Sequence, residues 1–219
     1  MTAPIPDDVW VIIPIKSLSH AKRRLASKLS KPERAALMMG LLDNILDIVS
    51  RLIPPARVLV ISHDRQALKR AAEQGARPVH QSSYGLNAAV EEGIQAAEAA
   101  GAKAVLILAA DLPFLQYNDV EELLGRSNGG REVIIAPGQR GGTHAILLRP
   151  LHLFRVAFGP NSFIRHLKRA NQAGARLDIV ENSRWAFDLD THEDLEAALR
   201  IRPALLQPNR EYSDHTPRR

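Results

Sequence analysis

The run Ala104-Val105-Leu106-Ile107-Leu108-Ala109-Ala110, bounded by Gly101 and by Asp111-Leu112-Pro113, is the most apolar short stretch of this 219-residue chain. Its length and its glycine and proline boundaries fit a strand buried on both faces. A strand of that kind belongs to a sheet covered by helices on both sides. A carboxylate is expensive to desolvate, so Asp111 is expected just beyond the strand's carboxyl end. In an open α/β sheet that end faces the crevice where ligands bind.

The rest of the chain repeats the alternation. Strands are predicted at Val9 to Ile15, Arg57 to Ile61, Pro78 to His80, Glu132 to Ala136, Ala145 to Leu148, Arg176 to Val180 and Trp185 to Leu189. Helices are predicted from Ser30 to Pro54, Arg65 to Gln74, Asn87 to Ala100, Asn118 to Leu124, Pro160 to Ala173 and Glu193 to Ile201. Ser30 with Glu33, and Thr191 with Asp194, have the spacing of capping boxes. The pattern reads as α/β, a single-domain Rossmann-like fold with a mixed, mostly parallel central sheet flanked by helices. The domain is expected to span residues 1–202. Residues 203–219, with three prolines and mostly polar side chains, read as a loose C-terminal tail.

Composition removes several classes. With 45% hydrophobic and 24% charged residues the chain can build a core. The absence of cysteine rules out disulfides, thiol nucleophiles and zinc-thiolate sites. Met1 to Trp10 carries two acids and no base, which is wrong for a signal peptide, and no apolar run approaches the ~20 residues that span a bilayer. A soluble, cytoplasmic protein without a membrane partner is expected. The net charge of +5 is local: Lys16 to Arg34 holds seven basic residues and one acid, which accounts for the excess. A basic loop suits a small polyanion at least as well as nucleic acid, and with 5% aromatics the chain has few stacking side chains. No nucleic-acid partner is expected.

Four constellations have chemical potential. The long connection after the first strand carries Lys16, Lys22 and Arg24, which suit charge-assisted contacts to a di- or triphosphate. It has no glycine, so it is neither a Walker A loop nor a dinucleotide fingerprint; a solvated charged surface fits the same residues. Ser82 to Asn87 places Gly85 before a helix, where a ligand could approach the backbone, or where a turn is simply capped. Asp188 and Asp190 alternate with Phe187 and Leu189, which on a strand puts both carboxylates on one face. Together with Asp111 they could seat magnesium (Mg2+), which favours one or two carboxylates plus substrate oxygens; Asp190 alternatively supports the cap at Thr191. Lastly, the Gly141-Gly142-Thr143 turn and Gly159-Pro160-Asn161-Ser162 offer an anion pocket at a helix start, or an ordinary cap. The histidines show no metal-binding spacing and no serine lies in a nucleophile elbow.

Taken in order, these segments resemble the 2-phospho-L-lactate guanylyltransferase family, also described as phosphoenolpyruvate guanylyltransferase, of deazaflavin coenzyme F-420 biosynthesis. The residues that carry the resemblance are Ile13 to Lys16, Ala21 to Leu25, Gly85 to Ala89, Ala110 to Pro113, Gly141 to Thr143, Phe158 to Phe163 with His166, and Asp188 to Leu195. They span Val9 to Leu199. The resemblance implies a MobA-like nucleotidyltransferase fold of GT-A type. It also implies a reaction in which GTP and a phosphorylated three-carbon acid give a guanylylated diphosphate and pyrophosphate. By matching position, Thr143, Gly159 and Ser162 bind the phospho-acid, and Asp111 and Asp188, with Asp190 beside them, hold the metal. Lys16, Lys22 and Arg24 lie along the GTP phosphates, Gly85 and Asn87 near the nucleoside, and Asp111, Lys22 and Arg24 carry the catalysis. His144 departs from the pattern, where asparagine is expected after Gly-Gly-Thr.

Alternatives remain at this level. Another MobA-like enzyme, a cytidylyltransferase or sugar-nucleotide transferase, would carry a glycine-rich first loop that this chain lacks. A glycosyltransferase would want its Asp-X-Asp motif earlier than Asp188. A non-enzymatic nucleic-acid-binding protein is opposed by the acidic cluster. The residues do not choose among phosphoenolpyruvate, 2-phospho-L-lactate and 3-phospho-D-glycerate, and oligomeric state, a homodimer included, stays open.

Overall fold

The computed structural model describes residues 6–18 and 22–206. Its strands are β1 (Val9–Pro14), β2 (Val58–Ser62), β3 (Arg77–His80), β4 (Ala104–Leu108), β5 (Glu132–Pro137), β6 (Thr143–Arg149) and β7 (Arg176–Ile179). They form one sheet in the order β3-β2-β1-β4-β6-β5-β7. The first four are mutually parallel, β6 runs antiparallel to both β4 and β5, and β7 is parallel to β5. The mixed, helix-flanked sheet expected from the sequence is therefore what forms.

The helices are α1 (Lys31–Ser50), α2 (Arg65–Glu73), α3 (Leu86–Ala99), α4 (Tyr117–Gly125), α5 (Ser162–Gln172), α6 (Ser183–Ala186) and α7 (His192–Ile201). Both capping boxes close as the spacing required, Ser30 with Glu33 and Thr191 with Asp194. Among the described residues, no helix is long and apolar enough to cross a membrane.

Successive strand residues feed two cores. Val11, Val60, Leu106 and Leu147 face α1, α4 and α7. Ile12, Leu59, Ile107 and Ile146 face α3 and α5. Period-two alternation with both faces covered is why β1, β2 and β4 read as unbroken apolar runs. Helix α3 lies very close to the sheet at Gly93, where a Cβ would come within 2.7 Å of Ile12 Cγ2.

The order of strands assembles a site at one edge. The chain leaves β1 toward β2 and returns to β4 on its other side, so a crevice opens at the carboxyl ends of β1 and β4. Because β6 is antiparallel to β4, its first residues lie at that same edge, and Ala109 N–H donates to His144 O at 2.8 Å.

Two expectations fail here. No strand forms at Trp185 to Leu189. Asn182 caps the short helix α6 by accepting from Arg184 and Trp185 N–H, Trp185 is fully buried, and Phe187 packs on Phe114 with ring centroids 5.0 Å apart. Each apolar residue has its own partner, so the alternation is not that of a strand. Helix α5 also starts later than Pro160: Asn161, with φ 55, caps it and Ser162 is its first residue. Pro203–Leu206 forms a 3-10 turn whose Leu205 packs on the core; the remaining tail, 207–219, lies outside the described residues.

Candidate active site

Asp111 follows β4 at the crevice, with its side chain 30% exposed. Its backbone carbonyl accepts from Leu189 N–H at 3.1 Å, which draws the irregular segment 187–190 alongside. Lys22 Nζ donates to Asp111 Oδ2 at 2.6 Å and lies 4.0 Å from Asp190 Oδ1. The Lys22 side chain is only 7% exposed. Arg24, at the surface, donates to Asp190 Oδ2 at 2.6 Å.

Burial works against the ionised form of Asp111. The charge and hydrogen bond of Lys22, aided by His144, more than offset it and hold the carboxyl below the usual carboxylate range. Asp188 goes the other way. Burial and the negative charge of Asp111 push its carboxyl up, against the pull of His144, Arg140 and Lys22. Two carboxylates that disfavour each other's charge form a site that a cation relieves. A small carboxylate donor set of this kind, completed by substrate oxygens and water, suits a divalent cation. Among the described residues, no group of three or more His, Cys, Asp or Glu could hold a metal alone.

Arg140, which the sequence reading passed over, organises this acidic side. It donates to Asp188 Oδ1 at 2.8 Å and to both carboxylate oxygens of Asp194 at 2.6 Å. Asp194 in turn accepts from Asp190 and Thr191 N–H, so it, and not Asp190, supports the cap of α7. His144 Nδ1 donates to Trp185 O at 2.6 Å, which turns Nε2 toward Asp188 Oδ1 at 3.8 Å. The departure at His144 therefore belongs to the acidic pair. It packs tightly on Gly138, where a Cβ would lie 2.4 Å from Nε2.

On the far side of the Gly138 to Gly142 turn is a buried hydroxyl network. Ala157 N–H donates to His166 Nε2 at 2.9 Å, which leaves the ring proton on Nδ1 to be donated to Thr143 Oγ1, also at 2.9 Å. Ser162 Oγ donates to Thr143 Oγ1 at 3.3 Å. Thr143 thus accepts twice, and its own proton is left for a third partner. Burial, with Arg169 and Arg165 nearby, lowers His166 to about 4, so the ring is neutral at physiological pH. The free helix-start donors expected here are already engaged: Ser162 N–H bonds Gly159 O and Phe163 N–H bonds Gly141 O.

Gly85 caps α3 with φ 106 and ψ 154, a backbone essentially confined to glycine. Asn87, expected near a nucleoside, bonds the backbone of Phe158 in both directions, accepting from its N–H at 2.7 Å and donating to its carbonyl at 3.2 Å. Two joined cavities lie beneath these elements. One, about 170 Å³, is lined by Lys22, Asp111 and Asp190. The other, about 470 Å³, is lined by His63, Gln81, Tyr84 and Gly85, and both share Pro14, Ile15, Lys16 and Leu86.

Comparison with known proteins identifies the family. The family model described as guanylyl transferase CofC like matches residues 9–200. A phosphoenolpyruvate guanylyltransferase of Rubrobacter xylanophilus is 41% identical over 85% of this chain and 91% of its own length. A 2-phospho-L-lactate guanylyltransferase of Methanocaldococcus vulcanius is 33% identical over 84% of this chain and 81% of its own. Among solved structures, a Desulfovibrio desulfuricans protein assigned as a nucleotide-diphospho-sugar transferase superposes with a TM-score of 0.72 at 16% identity, covering 92% of this chain and 98% of that one. Sequence kinship over nearly the whole fold, joined to a charged crevice at its switch point, places the chain in the CofC-like guanylyl transferase family, and it is a nucleotidyltransferase.

Proposed function

We propose that this protein transfers GMP from GTP to the phosphate of a phosphorylated three-carbon acid, phosphoenolpyruvate or 2-phospho-L-lactate, with release of pyrophosphate, as a step of coenzyme F-420 biosynthesis. The observation that carries the reading is the Lys22–Asp111 pair at 2.6 Å, a fixed ion pair at the floor of the crevice where β1 and β4 diverge. Lys16 lines the cavity that this pair floors.

A phosphate oxygen of the acid attacks the α-phosphorus of GTP in line. The new P–O bond forms as the bond to the bridging oxygen of the β-phosphate breaks, and pyrophosphate leaves. The attacking phosphate is already anionic, so no general base is required. What the chain must supply is alignment and charge neutralisation. Lys16 and Arg24 lie along the triphosphate, Lys22 sets a positive charge at the floor, and Gly85 lets the nucleoside approach the backbone. The Thr143 proton, with the Gly159 to Ser162 segment behind it, holds the acid's phosphate. Asn87 ties the two halves through Phe158. Asp111 and Asp188, with Asp190 beside them, would hold magnesium, which would supply Lewis-acid neutralisation of the phosphates.

Pyrophosphate release with magnesium, measured across the four nucleoside triphosphates and phosphoenolpyruvate, 2-phospho-L-lactate and 3-phospho-D-glycerate, tests the reading. Release with GTP and one of the first two acids is expected. No release with any pair overturns it.

A further inference from the structure

Four buried side-chain polar atoms among the described residues lack a hydrogen-bond partner: Asn44 Nδ2, His63 Nε2, Arg149 Nε and Trp185 Nε1. An orphan of this kind costs about 1–3 kcal/mol and calls for an explanation. Only His63 lines the cavity of about 470 Å³ that opens beside Lys16. Pro14, Leu86 and Ala89 give that cavity apolar walls. Its size and lining suit a flat heteroaromatic ligand fixed by a few polar contacts.

Tyr84 adds a second, independent observation. It is 91% exposed, yet its ring lies over His63 with centroids 4.7 Å apart and planes 33° from parallel. The loop beneath it is held. Gln81 Nε2 donates to the carbonyls of Ser83 and Gly85, and Glu92 accepts from the N–H groups of Ser82 and Ser83. A held backbone thus presents a large, solvated ring across a buried nitrogen of the cavity that has no hydrogen-bond partner.

His63 is also in register with the phosphate side. Its neighbour Asp64 accepts from Leu18 N–H at 2.9 Å and from the first N–H groups of α2, so the turn that carries His63 also anchors the loop after Lys16.

We propose that His63 reads the edge of the nucleobase through Nε2, and that Tyr84 stacks on the base as its cover. This rests on the reading of the crevice as a nucleotide site, and it names the side chains that discriminate among bases there. Guanine and adenine differ at the edge, where one presents a carbonyl and the other an amino group. An imidazole nitrogen that donates favours the carbonyl, and one that accepts favours the amino group, so the tautomer held at Nε2 in the complex sets the preference.

Calorimetric binding of GTP, ATP, CTP and UTP, with steady-state KM values for nucleotide and acid, tests this on wild type, His63→Ala, His63→Gln and Tyr84→Ala. His63→Ala is expected to weaken GTP binding by roughly tenfold or more and to narrow the GTP-to-ATP preference by a similar factor, with the KM for the acid unchanged. His63→Gln, which keeps a hydrogen-bonding edge, should recover part of both. Tyr84→Ala should weaken all nucleotides together and, being exposed, should leave the melting temperature in place. Wild-type GTP affinity and base preference in His63→Ala, with a normal melting curve, overturn the proposal. Failure of wild type to bind any nucleotide overturns it together with the functional reading. Selective GTP binding without transfer to either acid overturns only the choice of acceptor.

Discussion

Lys22 reaches Asp111 from a left-handed backbone: with φ 49 and ψ 45 its Nζ lies 2.6 Å from Oδ2. Among the described residues, only Lys22 and Asn161 have positive φ without being glycine. One stands at the acidic floor and the other at the start of α5, against the Gly141 turn. A left-handed lysine costs on the order of 1 kcal/mol, and such strain persists where surrounding structure over-determines it, commonly at functional sites.

Replacing this residue should therefore separate stability from activity. Lys22→Gly relieves the backbone while deleting the ammonium, so its melting temperature should stay within a few degrees of wild type. Lys22→Ala keeps the strain and should melt lower. Both should lose on the order of 100-fold or more in kcat for pyrophosphate release, the scale of a lost charge stabiliser. Near-normal turnover in Lys22→Gly would remove Lys22 from the catalytic assignment.

Asp188 should behave as a carboxylate that the apo fold tolerates poorly. Its folded-state pKa is raised, so the stability contributed by its proton is present below the unfolded value and lost as pH rises through the folded one. At neutral pH the ionised group is a net cost. Asp188→Asn keeps an oxygen for Arg140 and removes that cost, so without metal at pH 7 it should melt a few degrees above wild type. Millimolar magnesium should raise the melting temperature of wild type and not of the variant, and chelation should reverse the gain. A magnesium shift of equal size in both proteins would move the metal elsewhere.

His166 gives a pH dependence of opposite origin. Its folded pKa is lowered from 6.5 to about 4, so the stability it contributes is present above 6.5 and is lost as pH falls through 4. The full span is on the order of 3 kcal/mol. Chemical denaturation between pH 7 and 4 should show this slope in wild type and a flatter one in His166→Gln. Because the ring proton fixes the Thr143 hydroxyl, the same variant should raise the KM of the acid at pH 7 and leave that of GTP near wild type. An unchanged slope would mean that the ring is solvated.

What the sequence made legible was local. The doubly buried β4, the caps at Ser30 and Thr191, and the position of Asp111 follow from neighbours within a few residues. What it hid depends on distant partners. Arg140 finds Asp188 and Asp194 across 48 and 54 residues, and α6 is stabilised by Arg184 on the buried Asp119 across 65. Nothing near Trp185 to Leu189 reports those contacts, so apolar alternation there mimics a strand. The hydroxyls of Thr143 and Ser162 could be named from their motifs. That they point into a shared network with His166 could not, because the orientation is set by Ala157 on another loop.

Asn87 shows how such a contact changes a role. The family resemblance implies for it a place beside the nucleoside, yet its amide is engaged at both ends by the Phe158 backbone, 71 residues away. Removing that amide frees the segment 157–161, which positions both His166 and the start of α5, while the cavity beside Lys16 keeps its walls. Asn87→Ala should therefore raise the KM of the acid by about tenfold, the scale of a mispositioned binding loop, and that of GTP by less than about threefold. Asn87→Asp keeps the acceptor for Phe158 N–H and should fall between. Steady-state kinetics with each substrate varied in turn reads the split directly. A larger effect on GTP than on the acid would return Asn87 to the nucleoside and make the Phe158 clamp incidental.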